Sequence, residues 1–290
     1  MRLMRDVIRR FLANGAVARQ LGEGERLLRN HAAVLQQRDR VAGLIEQCLQ
    51  SPEWEVRNVG IKLIPVLGEP SLFPRLVERL ADRAEAGIVR RNAATAIRDT
   101  QYGGDDVRRA LFAALHDRYW EVRTEAVGAL PSLAEPSAES EAALLALLFG
   151  KAAVDHETTP ASAFRAARLR ERNFEVRAAC AQALGALAVS ERGLAALCRL
   201  SEDSSWIVRF QATIALGELA SREGRFRAAA SEQMARVRLT PECSVPDHPF
   251  RETLSRLRHD ISKGNGQGDT ERVRSLYLDL KKGWNVVTRT

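Results

Sequence analysis

Sliding the chain against itself brings five segments into register: WEVRNVGIKLIPVLG at 54–68, GIVRRNAATAIRDT at 87–100, WEVRTEAVGALPSLA at 120–134, FEVRAACAQALGALA at 174–188 and WIVRFQATIALGELA at 206–220. Their Val-Arg pairs end at Arg57, Arg90, Arg123, Arg177 and Arg209, so the steps between copies are 33, 33, 54 and 32 residues. The long step is one period plus an insertion of about 21 residues. Such a period marks a chain whose core grows by adding one supersecondary unit at a time. At 290 residues a single closed core would be near the size at which cores divide, so length and period point the same way.

Within the third copy Val122, Ala126, Ala129, Leu130 and Leu133 recur at i, i+4, i+7, i+8 and i+11, one face of an α-helix. A second amphipathic segment runs ahead of each copy: Leu44, Ile45, Cys48, Leu49; Leu76, Val77, Leu80; Leu111, Ala114, Leu115; Leu144, Leu145, Leu148; Leu194, Leu197, Leu200. Each unit reads as a helical hairpin. The fold class is therefore all-α, an α-solenoid of about five clear repeats with variant capping helices. Ser51, Asp117, Glu171 and Asp203 stand six residues before a repeat arginine, where a side-chain acceptor is expected to cap the second helix. The organisation predicted is capping helices at 1–34, the array at 35–220 with its insertion at about 150–170, a variant helical unit at 221–262, and a Gly-rich link with an amphipathic helix at 263–290.

The D-x-x-W-x-V-R-x-x-A-x-x-A-L-x-x-L pattern, over about residues 35–220, resembles HEAT repeats, most closely the HEAT-like type of phycobilisome lyases. The resemblance implies that the Asp and the Arg link neighbouring repeats in a ladder. That gives Asp117, Asp203, Arg57, Arg90, Arg123, Arg177 and Arg209 a structural role. The second copy departs from the pattern, with Gly87 in place of the aromatic and Ala84 in place of the Asp, which predicts a looser junction there. The aromatics Trp54, Trp120, Phe174 and Trp206 share one repeat position; packing between repeats is expected of them rather than stacking on bases. HEAT arrays serve as scaffolds, adaptors, lyase subunits and DNA glycosylases, so the resemblance speaks to fold and leaves function open.

Function must then come from surfaces. If the second helices line a concave face, its solvent-facing columns follow the repeat arginine by one, two and five positions. They read Asn58, Arg91, Thr124, Ala178, Phe210; Val59, Asn92, Glu125, Ala179, Gln211; and Lys62, Thr95, Gly128, Gln182, Ile214. Two cations, Arg91 and Lys62, opposed by Glu125, are too few to neutralise duplex phosphates. The candidate partner-binding residues on this face are Asn58, Lys62, Arg91, Asn92, Thr95, Glu125, Gln182, Phe210 and Gln211, and their mixed polarity suits a protein. In the insertion, Arg165, Arg168 and Arg172 at i, i+3, i+7 form the densest cationic stripe away from the ends. The net charge of +7 lies outside residues 31–220, where 23 basic residues meet 25 acidic ones. An acidic protein or a nucleic acid is therefore a secondary candidate, met through the insertion arginines and the basic ends.

No GxSxG, HExxH or phosphate-loop motif is present. Asp155, His156 and Glu157, and Cys243, Asp247 and His248, each lack a full ligand set, so no metal and no cofactor is expected. Cys180 and Cys198 read as small core residues. The apolar stripe Leu3, Met4, Val7, Ile8, Phe11 and Leu12 reads as an end cap more than a membrane-surface helix. Val273, Leu276, Tyr277, Leu280 and Trp284 read as a second cap or a partner-binding arm. The absence of a membrane span or secretory signal and the four scattered cysteines lead to an expected cytoplasmic location. The leading expectation is a non-enzymatic scaffold or adaptor. A lyase or maturation subunit, implied by the repeat resemblance alone, and a nucleic-acid-binding, glycosylase-like protein stay open as alternatives.

Overall fold

A computed structural model describes residues 15–151, 154 and 159–237, and every regular element among them is helical. The chain divides between Leu133 and Ala134 into two compact units. In the first, α1 (Gly15–Leu28) and α2 (His31–Gln36) precede three hairpins. These are α3 (Arg38–Leu49) with α4 (Trp54–Leu67), α5 (Phe73–Ala81) with α6 (Gly87–Thr100), and α7 (Asp105–Ala114) with α8 (Trp120–Leu133). The second unit holds α9 (Ala138–Phe149), the short α10 (Ala161–Ala166), α11 (Phe174–Leu187), α12 (Glu191–Leu200), α13 (Trp206–Arg222) and α14 (Arg227–Arg236). In both units first helices pack on second helices within a hairpin, and second helices stack on one another from repeat to repeat. This is the α-solenoid arrangement that the period predicts.

The periodic apolar residues form the cores. Val41, Leu44, Ile45, Cys48 and Leu49 are buried on α3, Val122, Ala126, Ala129 and Leu130 on α8, and Val176, Cys180, Ala183 and Leu184 on α11. The helices α11 and α13 approach so closely that a Cβ on Gly185 would lie 2.9 Å from the Cα of Ala215. Only glycine permits that spacing.

The junctions are polar and fully specified. Arg90 donates from Nε and Nη2 to the carboxylate of Asp117, at 2.8 and 3.0 Å, with both side chains buried. Arg177 pairs in the same two-pronged way with Asp203, at 2.8 and 2.9 Å. The remaining arm of each repeat arginine turns back to the chain before its own helix: Arg90 Nη1 to the Glu85 carbonyl, Arg177 Nη1 to those of Glu171 and Arg172, Arg209 Nη1 to those of Asp203 and Ser204. A guanidinium presents its donors in a fixed fork, which is why arginine occupies this place. The acceptors were expected to cap the second helices. They instead accept from the N–H two residues on: Ser51 from Glu53, Asp117 from Tyr119, Glu171 from Asn173, Asp203 from Ser205. The carboxylate thus shapes the turn that delivers the helix and, in Asp117 and Asp203, grips the preceding repeat as well.

The second junction is not looser. Glu85, one position after Ala84 and one methylene longer than Asp, takes Arg57 at 2.7 Å on each oxygen and accepts from the Ala86 N–H at 2.7 Å. The missing aromatic is also compensated, since the ring of Tyr119 lies where a Cβ on Gly87 would sit, its nearest atom 2.7 Å away. Burial alone would push the Glu85 and Asp117 carboxyls up. Hydrogen bonds and charge from Arg57 and Arg79 on Glu85, and from Arg90 and Arg83 on Asp117, together with one backbone N–H each, hold both below their ordinary values.

The insertion is built into the stack. Helix α10 packs on α12, and its Phe164 is buried edge-on to Phe149, with ring centroids 5.3 Å apart. The return segment is pinned by the Arg170 N–H to the Leu148 carbonyl, 2.7 Å, and by Arg199 Nε to the Ala167 carbonyl, 3.1 Å. Glu141, buried on α9, accepts from the N–H groups of Val189 and Ser190 at 2.7 and 3.0 Å. It places a negative charge at the N-terminus of α12, where the helix dipole favours one.

Candidate protein-binding face

The polar columns converge in the first unit. On α4, Asn58, Lys62, Pro65 and Val66 follow one another at helical spacing, and on α6 Asn92, Thr95, Ala96 and Asp99 do the same. Between them lies an open groove of about 450 Å³, lined by Lys62, Pro65, Val66, Asn92, Thr95, Ala96 and Asp99. Proline inside α4 cannot donate to the carbonyl of Ile61, and its ring faces the groove instead.

The hydrogen-bonding pattern fixes the floor. Asn92 Nδ2 donates to Asn58 Oδ1 at 2.7 Å, tying the two helices across the groove. Thr95 Oγ1 donates to the Arg91 carbonyl at 3.2 Å. Glu125 on α8, its side chain mostly buried, lies between two cations: Arg98 Nη1 at 3.1 Å and Arg91 Nη2 at 3.7 Å. Arg98 also reaches Asp99, 3.5 Å away. Lys62 is exposed and has no ion pair among the described residues. Of the nine face residues expected, Asn58, Lys62, Arg91, Asn92, Thr95 and Glu125 are brought together here. Pro65, Val66, Arg98 and Asp99 were missed. They lie eight and nine positions after the repeat arginine, one further turn along the same stripe, so extending the column rule would have found them.

In the second unit Gln182 is exposed and Gln211 half-buried. Phe210, expected to face solvent, is buried, as are Ala178 and Ile214 from the same columns. Helix α13 is apolar over most of its surface, with Phe210 6.4 Å from the ring of Trp206, and most of such a helix is buried. The shared aromatic position also departs from expectation: Trp54 and Phe174 are exposed, at 41% and 39%, while Trp120 and Trp206 are half-buried.

The insertion arginines do not form a helical stripe, because α10 ends at Ala166, before Arg168 and Arg172. Those two are exposed on the return segment. Arg165, though exposed, donates to Oε1 of the buried Gln233 at 2.7 Å, and Gln233 in turn donates to Ser201 Oγ and Glu202, so this cation is tied back to α14.

Cys48, Cys180 and Cys198 are buried thiols, as a core role requires. Burial, with the charge of Glu23, pushes Cys48 up to about 11, and burial raises Cys198. Among the described residues no group of three His, Cys, Asp or Glu side chains could hold a metal ion, and no helix is long and apolar enough to cross a membrane. Asp155, His156, Glu157, Cys243, Asp247, His248 and both terminal apolar stripes lie outside the described residues.

No curated protein is similar enough in sequence to count as a relative. A family model for HEAT repeats matches residues 41–131 and 162–237. The first stretch ends inside α8 and the second opens inside α10, so the unmatched interval holds α9 and the start of the insertion. Together the matched stretches cover more than half of the chain, and with the repeat period, the stacked hairpins and the arginine ladder they identify the chain as a member of the HEAT-repeat family.

Proposed function

We propose that the chain is a scaffold that holds a protein partner on the second-helix face of its first unit. The observation that carries this reading is the groove between α4 and α6. It is open, of mixed polarity, and lined, apart from the buried Ala96, by side chains that are half-buried or exposed. HEAT arrays are commonly used for protein interaction, and a surface of moderate polarity with some apolar floor is what a non-obligate protein interface requires. A phosphate-binding groove is poorly supported by the same residues, because Arg91 and Arg98 are already engaged by Glu125.

The test compares the tagged full-length chain with a variant carrying Lys62→Glu and Thr95→Arg, each used to recover partners from the cell of origin, followed by reconstitution from purified components. A partner that binds the unmodified chain directly and is lost from a variant of unchanged melting temperature supports the reading. A partner retained by the variant, or turnover of a defined substrate by the chain alone, overturns it.

A further inference from the structure

We infer that the groove between α4 and α6 takes an extended peptide segment bearing a carboxylate, which Lys62 receives while the Asn58 and Asn92 amides bond the peptide main chain. The inference rests on the scaffold reading above and specifies its partner. Charge supplies the first argument. The groove and its margin hold three cations, Lys62, Arg91 and Arg98, and two carboxylates, Glu125 and Asp99. Arg91 and Arg98 are spent on Glu125 and Asp99 at 3.1–3.7 Å, so the surplus positive charge is that of Lys62. A single exposed cation beside half-buried polar walls matches one carboxylate, and is too little for a polyanion.

The amides supply the second argument. The Asn92-to-Asn58 bond uses one donor and one acceptor, leaving each amide with hydrogen-bonding capacity that no described residue takes up. A side-chain amide offers the same pairing as a peptide bond; Asn92 lines the groove and Asn58, bonded to it, stands one turn before Lys62 on the facing helix. Pro65, Val66 and Ala96 give the wall against which an apolar residue of the segment can lie. The two stripes run along their helices for two turns, from Asn58 to Val66 and from Asn92 to Asp99, about 12 Å at the helical rise. That length accommodates three to four extended residues.

The test is selection of a phage-displayed random dodecapeptide library on the full-length chain, followed by anisotropy titration of the enriched peptides as synthetic, labelled probes. Expected are peptides with one recurrent Asp or Glu. Their affinity falls about tenfold on Lys62→Met and on replacing that acid by its amide, with no further loss when both changes are combined. Asn92→Leu should weaken binding separately, including for the amide-substituted peptide. Lys62 is exposed, so its variant is expected to melt with the parent, and circular dichroism checks this. Enriched peptides without an acid, or indifferent to Lys62, would overturn the inference while leaving the scaffold reading to its own partner-recovery test. Failure to enrich any peptide would overturn it too, pointing to a folded partner. A single-stranded oligonucleotide that binds through Lys62 in physiological salt would overturn both.

Discussion

The second-helix faces of the two units use the same repeat columns for different ends. In the first unit these columns carry Asn58, Arg91, Asn92, Lys62 and Thr95, all at least half-open, with Val59 buried among them. In the second they carry Ala178, Phe210 and Ile214, all buried, with Gln182 exposed and Gln211 half-buried beside them. Behind both faces the junctions are alike, each arginine gripping a carboxylate of the next repeat while turning one arm to its own chain. The frame of a repeat fixes where a side chain stands. Its chemistry then decides whether that position joins the core or remains available to a partner.

If the frame is common, breaking it should cost about the same in either unit. Arg90→Ala strands Asp117 in the interior, and Arg177→Ala strands Asp203; each should lower stability by about 3–5 kcal/mol. Urea denaturation of the two variants measures this, and a loss under 1 kcal/mol in one of them alone would show that the junctions are not equivalent. The faces should separate where the frame does not. Phe210→Ala removes a buried ring and should cost about 3 kcal/mol. Asn58→Ala, in the same column, gives up one half-exposed hydrogen bond and should cost less than about 1 kcal/mol. Similar losses for both would erase the distinction between core and open column.

Acid should act through the first unit's junctions. Glu85 and Asp117 are held below their ordinary values in the folded chain. As pH falls past about 4, the unfolded chain takes up protons first. The stability these groups contribute, complete above that pH, is therefore lost downward through their folded pKa values. The melting temperature should decline below about pH 4, and Asp117→Asn should flatten part of the decline. A melting temperature unchanged between pH 5 and pH 3 would show that these carboxylates are not coupled to folding.

Much of this was legible in the sequence because a repeat samples the same physics five times. A period near 33 residues with i, i+4, i+7 apolar spacing leaves few alternatives to stacked hairpins, and the Val-Arg pairs located every second helix. The pattern misleads where reach or surroundings, and not repeat position, decide what a side chain does. Ala84 hid the junction acid because Glu85, with its longer chain, sits one place later. Column number alone places Phe210 on an open face, whereas the many apolar residues around it on α13 widen the buried side of that helix to include it. Arg168 and Arg172 kept helical spacing in a segment that leaves the helix at Ala166. Glu141, the acid that directly precedes the unbroken Ala and Leu run of α9, is a readable signal: a carboxylate in such a setting needs donors, and the N-terminus of α12 supplies them.

The most direct test uses Lys62 and Gln182, which occupy the same column in the two units and are both exposed. A purified partner, or an enriched peptide, is titrated calorimetrically into the parent chain, Lys62→Glu and Gln182→Glu. The account predicts at least about tenfold weaker binding to Lys62→Glu and binding within about twofold of the parent for Gln182→Glu. Equal losses in both variants, or a loss confined to Gln182→Glu, would contradict the assignment of the binding face to the first unit.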